Sequence, residues 1–124
     1  MKRDDKILII DDSETNLVLL EAILEDDGFE VQTAFSAKEA EKILKEDFPD
    51  VILLDLLMPN ENGFDFLRRL KENTDFMQIP VIIVTAFAND DNKYIAKDLG
   101  AEDLIEKPID IPVFLEKVNE ALKE

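Results

Sequence analysis

The strongest constraint on this chain is an alternation, repeated along its length, between short β-type runs and segments with helical spacing. Runs at 6–11 (KILIID), 30–34 (EVQTA), 51–55 (VILLD), 81–85 (VIIVT) and 103–107 (DLIEK) read as strands. The first, third and fourth are nearly unbroken stretches of Ile, Val and Leu, the pattern of strands covered on both faces. EVQTA alternates and reads as an edge strand, and DLIEK is short and mixed. Between them, 14–27 carries Leu17, Leu20, Ile23 and Leu24 at helical spacing and stops at Gly28, which fits the first position beyond a helix. The segment 37–46 puts Ala40, Ile43 and Leu44 on one face, and 63–73 carries Phe64, Leu67 and Leu70. Segment 91–99 is weakly amphipathic, with Ile95, Ala96 and Leu99 before Gly100; 111–123 has Phe114, Val118, Ala121 and Leu122. Pro49, Pro59, Pro80 and Pro108 fall at boundaries.

Five such units predict an α/β fold, a doubly wound five-stranded parallel sheet with helices on both faces. Right-handed crossovers limit the windings. Three inner and two more polar strands fit the order 2-1-3-4-5, with a switch point between the first and third strands. At 124 residues the chain fits one domain, expected over 1–124, with no linker, repeat or low-complexity tract.

Composition removes several kinds of chemistry. There is no cysteine and no histidine, so disulfides, thiolate and imidazole metal sites, and cysteine or histidine catalysis are excluded. A formal net charge of −16 repels nucleic acid phosphates and anionic membranes and favours divalent cations or basic partner surfaces. For most of the 30 carboxylates solubility is a sufficient explanation. The start, Met1-Lys2-Arg3-Asp4-Asp5-Lys6, has no apolar stretch behind it and does not read as a signal peptide. No apolar run reaches the roughly 18 residues of a membrane span, so a cytoplasmic location is expected.

In a doubly wound sheet ligands bind at the carboxyl ends of the strands, near the switch point. Those ends are Asp11-Asp12, Asp55, Thr85 and Lys107. Each has an ordinary explanation when taken alone. Asp12 or Ser13 serves as a helix N-cap, Thr85 as a strand-end β-branched residue, and Lys107 as a solvated terminus or a partner for one Asp. Asp55 is harder to dismiss, because it interrupts the apolar stretch VILLDLL, where a carboxylate is costly unless paired or bound to metal. Three neighbouring carboxylates repel one another and need a cation. Hard oxygen ligands without imidazole suit Mg²⁺. A carboxylate beside Mg²⁺ and a lysine can act as nucleophile toward a phosphoryl group, with Thr85 bonding a phosphoryl oxygen.

At these residues the chain resembles the CheY-like receiver domain of two-component response regulators, over its whole length. The matching pieces are ILIIDD, VILLDLLMPNENG, PVIIVTA and GAEDLIEKP, in order and at the family's spacings. The resemblance implies a flavodoxin-like (βα)5 fold and a phosphoacceptor at Asp55. It implies a Mg²⁺ site of Asp11, Asp12, Asp55 and the backbone carbonyl of Leu57, with Thr85 as switch hydroxyl and Lys107 as the site lysine. It also implies that Lys107-Pro108 matches a bond often cis in the family. The phosphoryl donor would be a histidine kinase or histidine phosphotransfer protein. Such a module is not an enzyme in the ordinary sense, since it catalyses only its own phosphorylation and dephosphorylation. Nothing after the fifth helix reads as an effector, which leaves a stand-alone regulator or a receiver from a larger protein. Direct nucleic acid and membrane contacts are not expected, and a downstream protein target is expected on 91–99, 103–107 and 111–123. Three positions depart from the pattern: Ala37 where many relatives have Gly, Asn62 where Asp is frequent, and Leu104 where an aromatic residue usually acts as the rotating switch.

Two other readings compete. A Mg²⁺-dependent phosphatase working through an aspartyl phosphate usually has a second acid two residues after the nucleophile, where this chain has Leu57, and a substrate cap for which the short connections leave no room. A flavodoxin-like cofactor binder would need a loop able to cradle phosphate after the first strand. The stretch Asp11-Asp12-Ser13-Glu14-Thr15-Asn16 is instead acidic and without glycine.

Overall fold

Interior strands made almost wholly of Ile, Leu and Val must be covered on both faces, and the chain does this with helices on either side of one parallel sheet. The computed structural model describes residues 4–58 and 61–123. The residues 1–3 at the start and the boundary at Pro59 lie outside the described residues. Strand β1 (Lys6–Ile10) leads to helix α1 (Glu14–Asp26), β2 (Glu30–Ala34) to α2 (Ala37–Glu46), and β3 (Val51–Leu54) to a small ribbon, β4 (Leu57–Met58) and β5 (Glu61–Asn62). Then follow α3 (Gly63–Glu72), β6 (Val81–Thr85), α4 (Asp90–Asp98), β7 (Asp103–Glu106) and α5 (Ile111–Leu122). The large sheet has the order β2-β1-β3-β6-β7 with every pair parallel. Without the ribbon this is 2-1-3-4-5, and the switch point lies between β1 and β3. The ribbon itself pairs Leu57 with Asn62 and Met58 with Glu61. Two-residue strands have no periodicity, which is why the sequence pattern does not announce them.

Side-chain alternation divides the core into two layers. Ile7, Ile9, Val51, Leu53, Ile82 and Val84 pack against Leu17, Leu20 and Leu24 of α1 and Phe114 and Val118 of α5. Leu8, Ile10, Ile52, Leu54, Val81 and Ile83 face Ala40 and Leu44 of α2, Phe66, Leu67 and Leu70 of α3, and Ala96 of α4. Full burial of one such side chain contributes roughly 1.5–3 kcal/mol, so these two layers hold the sheet and its helices together. Helix α4 is the exception: Ala96 is its one buried residue.

The helix starts are set by short polar side chains. Ser13, Ser36, Asn62, Asn89 and Asp110 each accept a hydrogen bond from a backbone N–H of the helix's first turn. For α1 the cap is therefore Ser13 and not Asp12, which leaves the Asp12 carboxylate available. Asn62, one of the three departures, has a structural role as the cap of α3. Gly28 follows the C-cap of α1 with φ 95°, a conformation open to glycine at little cost. Three strands stop one residue earlier than their patterns. β1 ends at Ile10, β3 at Leu54 and β7 at Glu106, so Asp11, Asp55 and Lys107 lead off the sheet's edge.

Candidate functional site

In the parallel register of β1 and β3, Ile10 pairs with Leu54, so the next residues, Asp11 and Asp55, stand side by side at the switch point. The ladder continues through both. The Asp11 N–H donates to the Ala34 carbonyl at 3.0 Å and the Asp55 N–H to the Ile10 carbonyl at 2.9 Å. Both side chains are buried, with Asp11 2% and Asp55 8% exposed. Asp12 joins them from the turn before α1, and one carboxylate oxygen from each of the three lies within 4.8 Å of the others.

Among the described residues a single ammonium enters this cluster. Lys107 Nζ donates to Asp11 Oδ2 at 2.7 Å and stands 3.7 Å from Asp55 Oδ2. Its nearer partner is thus Asp11, a preference the residue spacing gives no means of reading. Asp11 Oδ1 accepts from the Ser13 N–H at 2.9 Å, so both oxygens of Asp11 are engaged. Asp12 is exposed, and no hydrogen bond among the described residues engages its carboxylate. The backbone of Lys107 is fixed by its N–H donating to the Thr85 carbonyl at 2.8 Å, and Lys107-Pro108 is cis.

Thr85 is fully buried at the end of β6. Its Oγ1 accepts from the Phe87 N–H at 3.1 Å, and the hydroxyl proton remains to be donated. Leu57 lies in β4 with its side chain 55% exposed.

The sequence reading passes over Gly63, which lies against the backbone of the acidic site. Its N–H donates to the Leu56 carbonyl at 2.8 Å. A Cβ at this position would lie 2.6 Å from the Asp55 carbonyl oxygen and 2.7 Å from Leu56 Cα, inside any tolerable contact with main-chain atoms. The signal available in the sequence was a glycine opening a helix directly after the loop that follows Asp55.

Burial dominates the electrostatics of Asp55. Loss of hydration pushes its carboxyl from 3.8 up to about 6; Lys107 opposes the rise, Asp11 adds to it, the Leu56 N–H opposes it, and Asp12 adds to it. A group in this condition gains from a further cation. The donors on offer are carboxylate oxygens alone, with no nitrogen or sulfur ligand in the cluster. Such hard donors, one set free and solvent-facing, fit Mg²⁺. Beside them a recess of about 530 Å³ is lined by Asp12, Leu56, Leu57, Met58, Glu61, Asn62 and Asp65, giving access from solvent.

The chain and its architecture have known counterparts. Residues 7–119 match the family described as the response regulator receiver domain. Protein PilH of Pseudomonas aeruginosa is 38% identical over 117 residues, 94% of this chain and 97% of that one. Response regulator PleD of Caulobacter vibrioides is also 38% identical, over 114 residues, 92% of this chain but 25% of that protein. Among solved structures, the signal receiver domain of a signal transduction histidine kinase from Syntrophus aciditrophicus superposes with a TM-score of 0.87 at 34% identity, covering 96% of this chain and 90% of that one. With a parallel sheet of the expected order and an acidic cluster at its switch point, the chain belongs to the response regulator receiver domain family of two-component signalling.

Proposed function

We propose that this receiver domain accepts a phosphoryl group on Asp55 from a histidine kinase or histidine phosphotransfer protein and passes the signal on by altered protein contacts. The observation that carries this reading is the buried carboxylate of Asp55, beside Asp11 and Asp12 and 3.7 Å from the Lys107 ammonium. An Asp55 oxygen attacks phosphorus, forming the O–P bond of an acyl phosphate. The N–P bond of the phosphohistidine breaks, its electron pair returning to the imidazole. With its carboxyl at about 6, Asp55 is ionised at neutral pH and still weakly enough hydrated to react. Lys107 is mobile enough on its four-carbon stem to leave Asp11 for the incoming phosphoryl oxygens, and Thr85 has a hydroxyl proton to donate to one of them. Asp11, Asp12 and Asp55, with the Leu57 carbonyl, would hold Mg²⁺. When bound, Mg²⁺ supplies charge that offsets the negative oxygens of the transferring group.

The downstream partner is assigned to residues 91–99, 103–107 and 111–123. A groove of about 520 Å³ between α4 and β7, lined by residues including Lys93, Lys97, Asp103 and Leu104, supports that surface, as does Tyr94 at 72% exposed. Among the described residues no helix is long and apolar enough to cross a membrane, and we assign the protein to the cytoplasm. On this reading it is a signalling module and not a turnover enzyme. The test is intact-mass measurement after incubation with Mg²⁺ and a small acyl phosphate, followed by transfer from a phosphorylated histidine kinase. One phosphoryl adduct is expected in wild type and none in Asp55→Ala. An adduct that persists in the variant would move the chemistry elsewhere, and steady hydrolysis of a phosphomonoester would replace this reading with that of a phosphatase.

A further inference from the structure

The loop between β6 and α4 is tied to the site by hydrogen bonds that phosphoryl transfer itself does not use. The Phe87 N–H donates to Thr85 Oγ1 at 3.1 Å, and the Phe87 carbonyl accepts from Asn92 Nδ2 at 2.7 Å. The Asn92 N–H donates in turn to Oδ1 of Asn89, the N-cap of α4, at 2.8 Å. A carbonyl can only accept, so it is the nitrogen of the Asn92 amide that faces Phe87. Both main-chain polar groups of Phe87 are therefore engaged, one toward the site and one toward the helix. The residue is 53% exposed, so these two bonds hold it more than packing does.

We propose that Asn92 is a positioning residue for Thr85: acting through the Phe87 main chain, its amide holds the Thr85 hydroxyl in its resting place and ties that place to the first turn of α4. The inference rests on the reading of Asp55 as phosphoacceptor. When the Thr85 hydroxyl moves toward a phosphoryl oxygen, the Phe87 N–H either follows or gives up its acceptor. If it follows, the Phe87 carbonyl is drawn off Asn92 and the first turn of α4 loses its tether. With Ala96 as its one buried residue, α4 has little other docking to resist the release. The route from site to surface then runs along main-chain groups and needs no rotating aromatic side chain on β7.

Asn92→Asp is the informative variant. It keeps the size of the side chain, removes the donor to Phe87, and places an acid in the first turn of a helix, where it does not harm the helix. Asn92→Ala guards against an effect of the new charge. In the unphosphorylated protein, both variants are expected to raise amide exchange at Phe87 about fivefold, the equivalent of one neutral hydrogen bond. Both are also expected to speed phosphorylation by a small acyl phosphate several-fold, because the resting position of Thr85 is less favoured. In a Thr85→Ala background the same substitutions should change neither quantity. Unchanged exchange at Phe87 in both single variants, or an equal effect on the rate with and without Thr85, overturns the proposal. If wild type takes up no phosphoryl group, the assignment of Asp55 fails. The relay is then judged by exchange at Phe87 in the single and double variants, which requires no phosphorylation.

Discussion

At the end of β3 the carboxyl group of one buried residue stands among two other acids, with a lysine for relief. Its ordinary value of 3.8 applies to the unfolded chain and about 6 to the folded one, so between these values the native state holds more protons. Stability accordingly falls as pH rises through that window. The full penalty, on the order of 3 kcal/mol from a shift of about two units, stands above pH ~6 and is gone below pH ~4. Asp55→Asn removes the penalty but forfeits the attraction of Lys107, and its amide must still be satisfied. In metal-free protein above pH ~6 it should therefore be more stable than wild type by about 1–2 kcal/mol. Denaturant unfolding across this pH range measures the difference, which should vanish toward pH ~4. A second prediction concerns Gly63. In Gly63→Ala the new methyl meets main-chain atoms of Asp55 and Leu56, which cannot rotate away, so a loss of about 1–3 kcal/mol and slower phosphorylation are expected. Thermal unfolding and intact-mass kinetics report both. The two cases also mark what a sequence displays at this scale. Asp55 is legible because a charge in an apolar run is conspicuous. Gly63 and the preference of Lys107 for Asp11 are not, because close approach and side-chain reach are properties of folded distances.

Among the helices, α4 has the least hold on the sheet, since its other residues are at best half-buried. Local opening should be least costly there, so amides of residues 90–98 are expected to exchange fastest among the five helices and to change on phosphorylation together with residues 86–89. Leu104, on the neighbouring strand, is half-buried and, like Leu99 and Ala101, packs at the margin of the layer that includes Ala96. Leu104→Ala should cost about 1–2 kcal/mol, below the usual range for a fully buried leucine, and leave phosphorylation of Asp55 and its effect on residues 86–99 in place. Hydrogen exchange on wild type and variant is the measurement, and loss of the response in the variant would return the switch to β7. The strands and helices were largely legible because the apolar runs of β1, β3 and β6 and the spacings of α1, α2, α3 and α5 reflect the same burial that orders them. Even α4 shows its weakness in its composition. The β4–β5 ribbon could not be read, since its pairing depends on the path of the loop after Asp55 and not on any run of residue types.

For the molecule as a whole, a net charge of −16 means that folding draws many carboxylates together. Added NaCl should raise the melting temperature by screening this repulsion and then level off. The proposed Mg²⁺ site of Asp11, Asp12 and Asp55 predicts a different effect: at ten times its dissociation constant a native-state ligand adds roughly 1.4 kcal/mol. The increment from millimolar Mg²⁺ should therefore persist in high NaCl and be lost in Asp12→Asn, whereas the NaCl effect survives the substitution. Calorimetric scans with and without each salt separate the two, and an Mg²⁺ increment abolished by NaCl would reduce the site to general screening. The chain spans nearly all of PilH but a quarter of PleD, so the same unit occurs in proteins of very different length. A unit used in such varied settings must assemble its site from its own strands, and the β6–β7 ladder bears on how faithfully it does so. Thr85 pairs with Glu106, and the Lys107 N–H is fastened to the Thr85 carbonyl. Were the edge strand β7 to zip up one residue out of step, Glu106 would occupy the place of Lys107, opposite Asp11 and Asp55, and four acids would face one another without an ammonium. The misaligned sheet is thus penalised at the very point where the aligned one gains its ion pair, and the charges that serve the site also proofread the docking of its last strand.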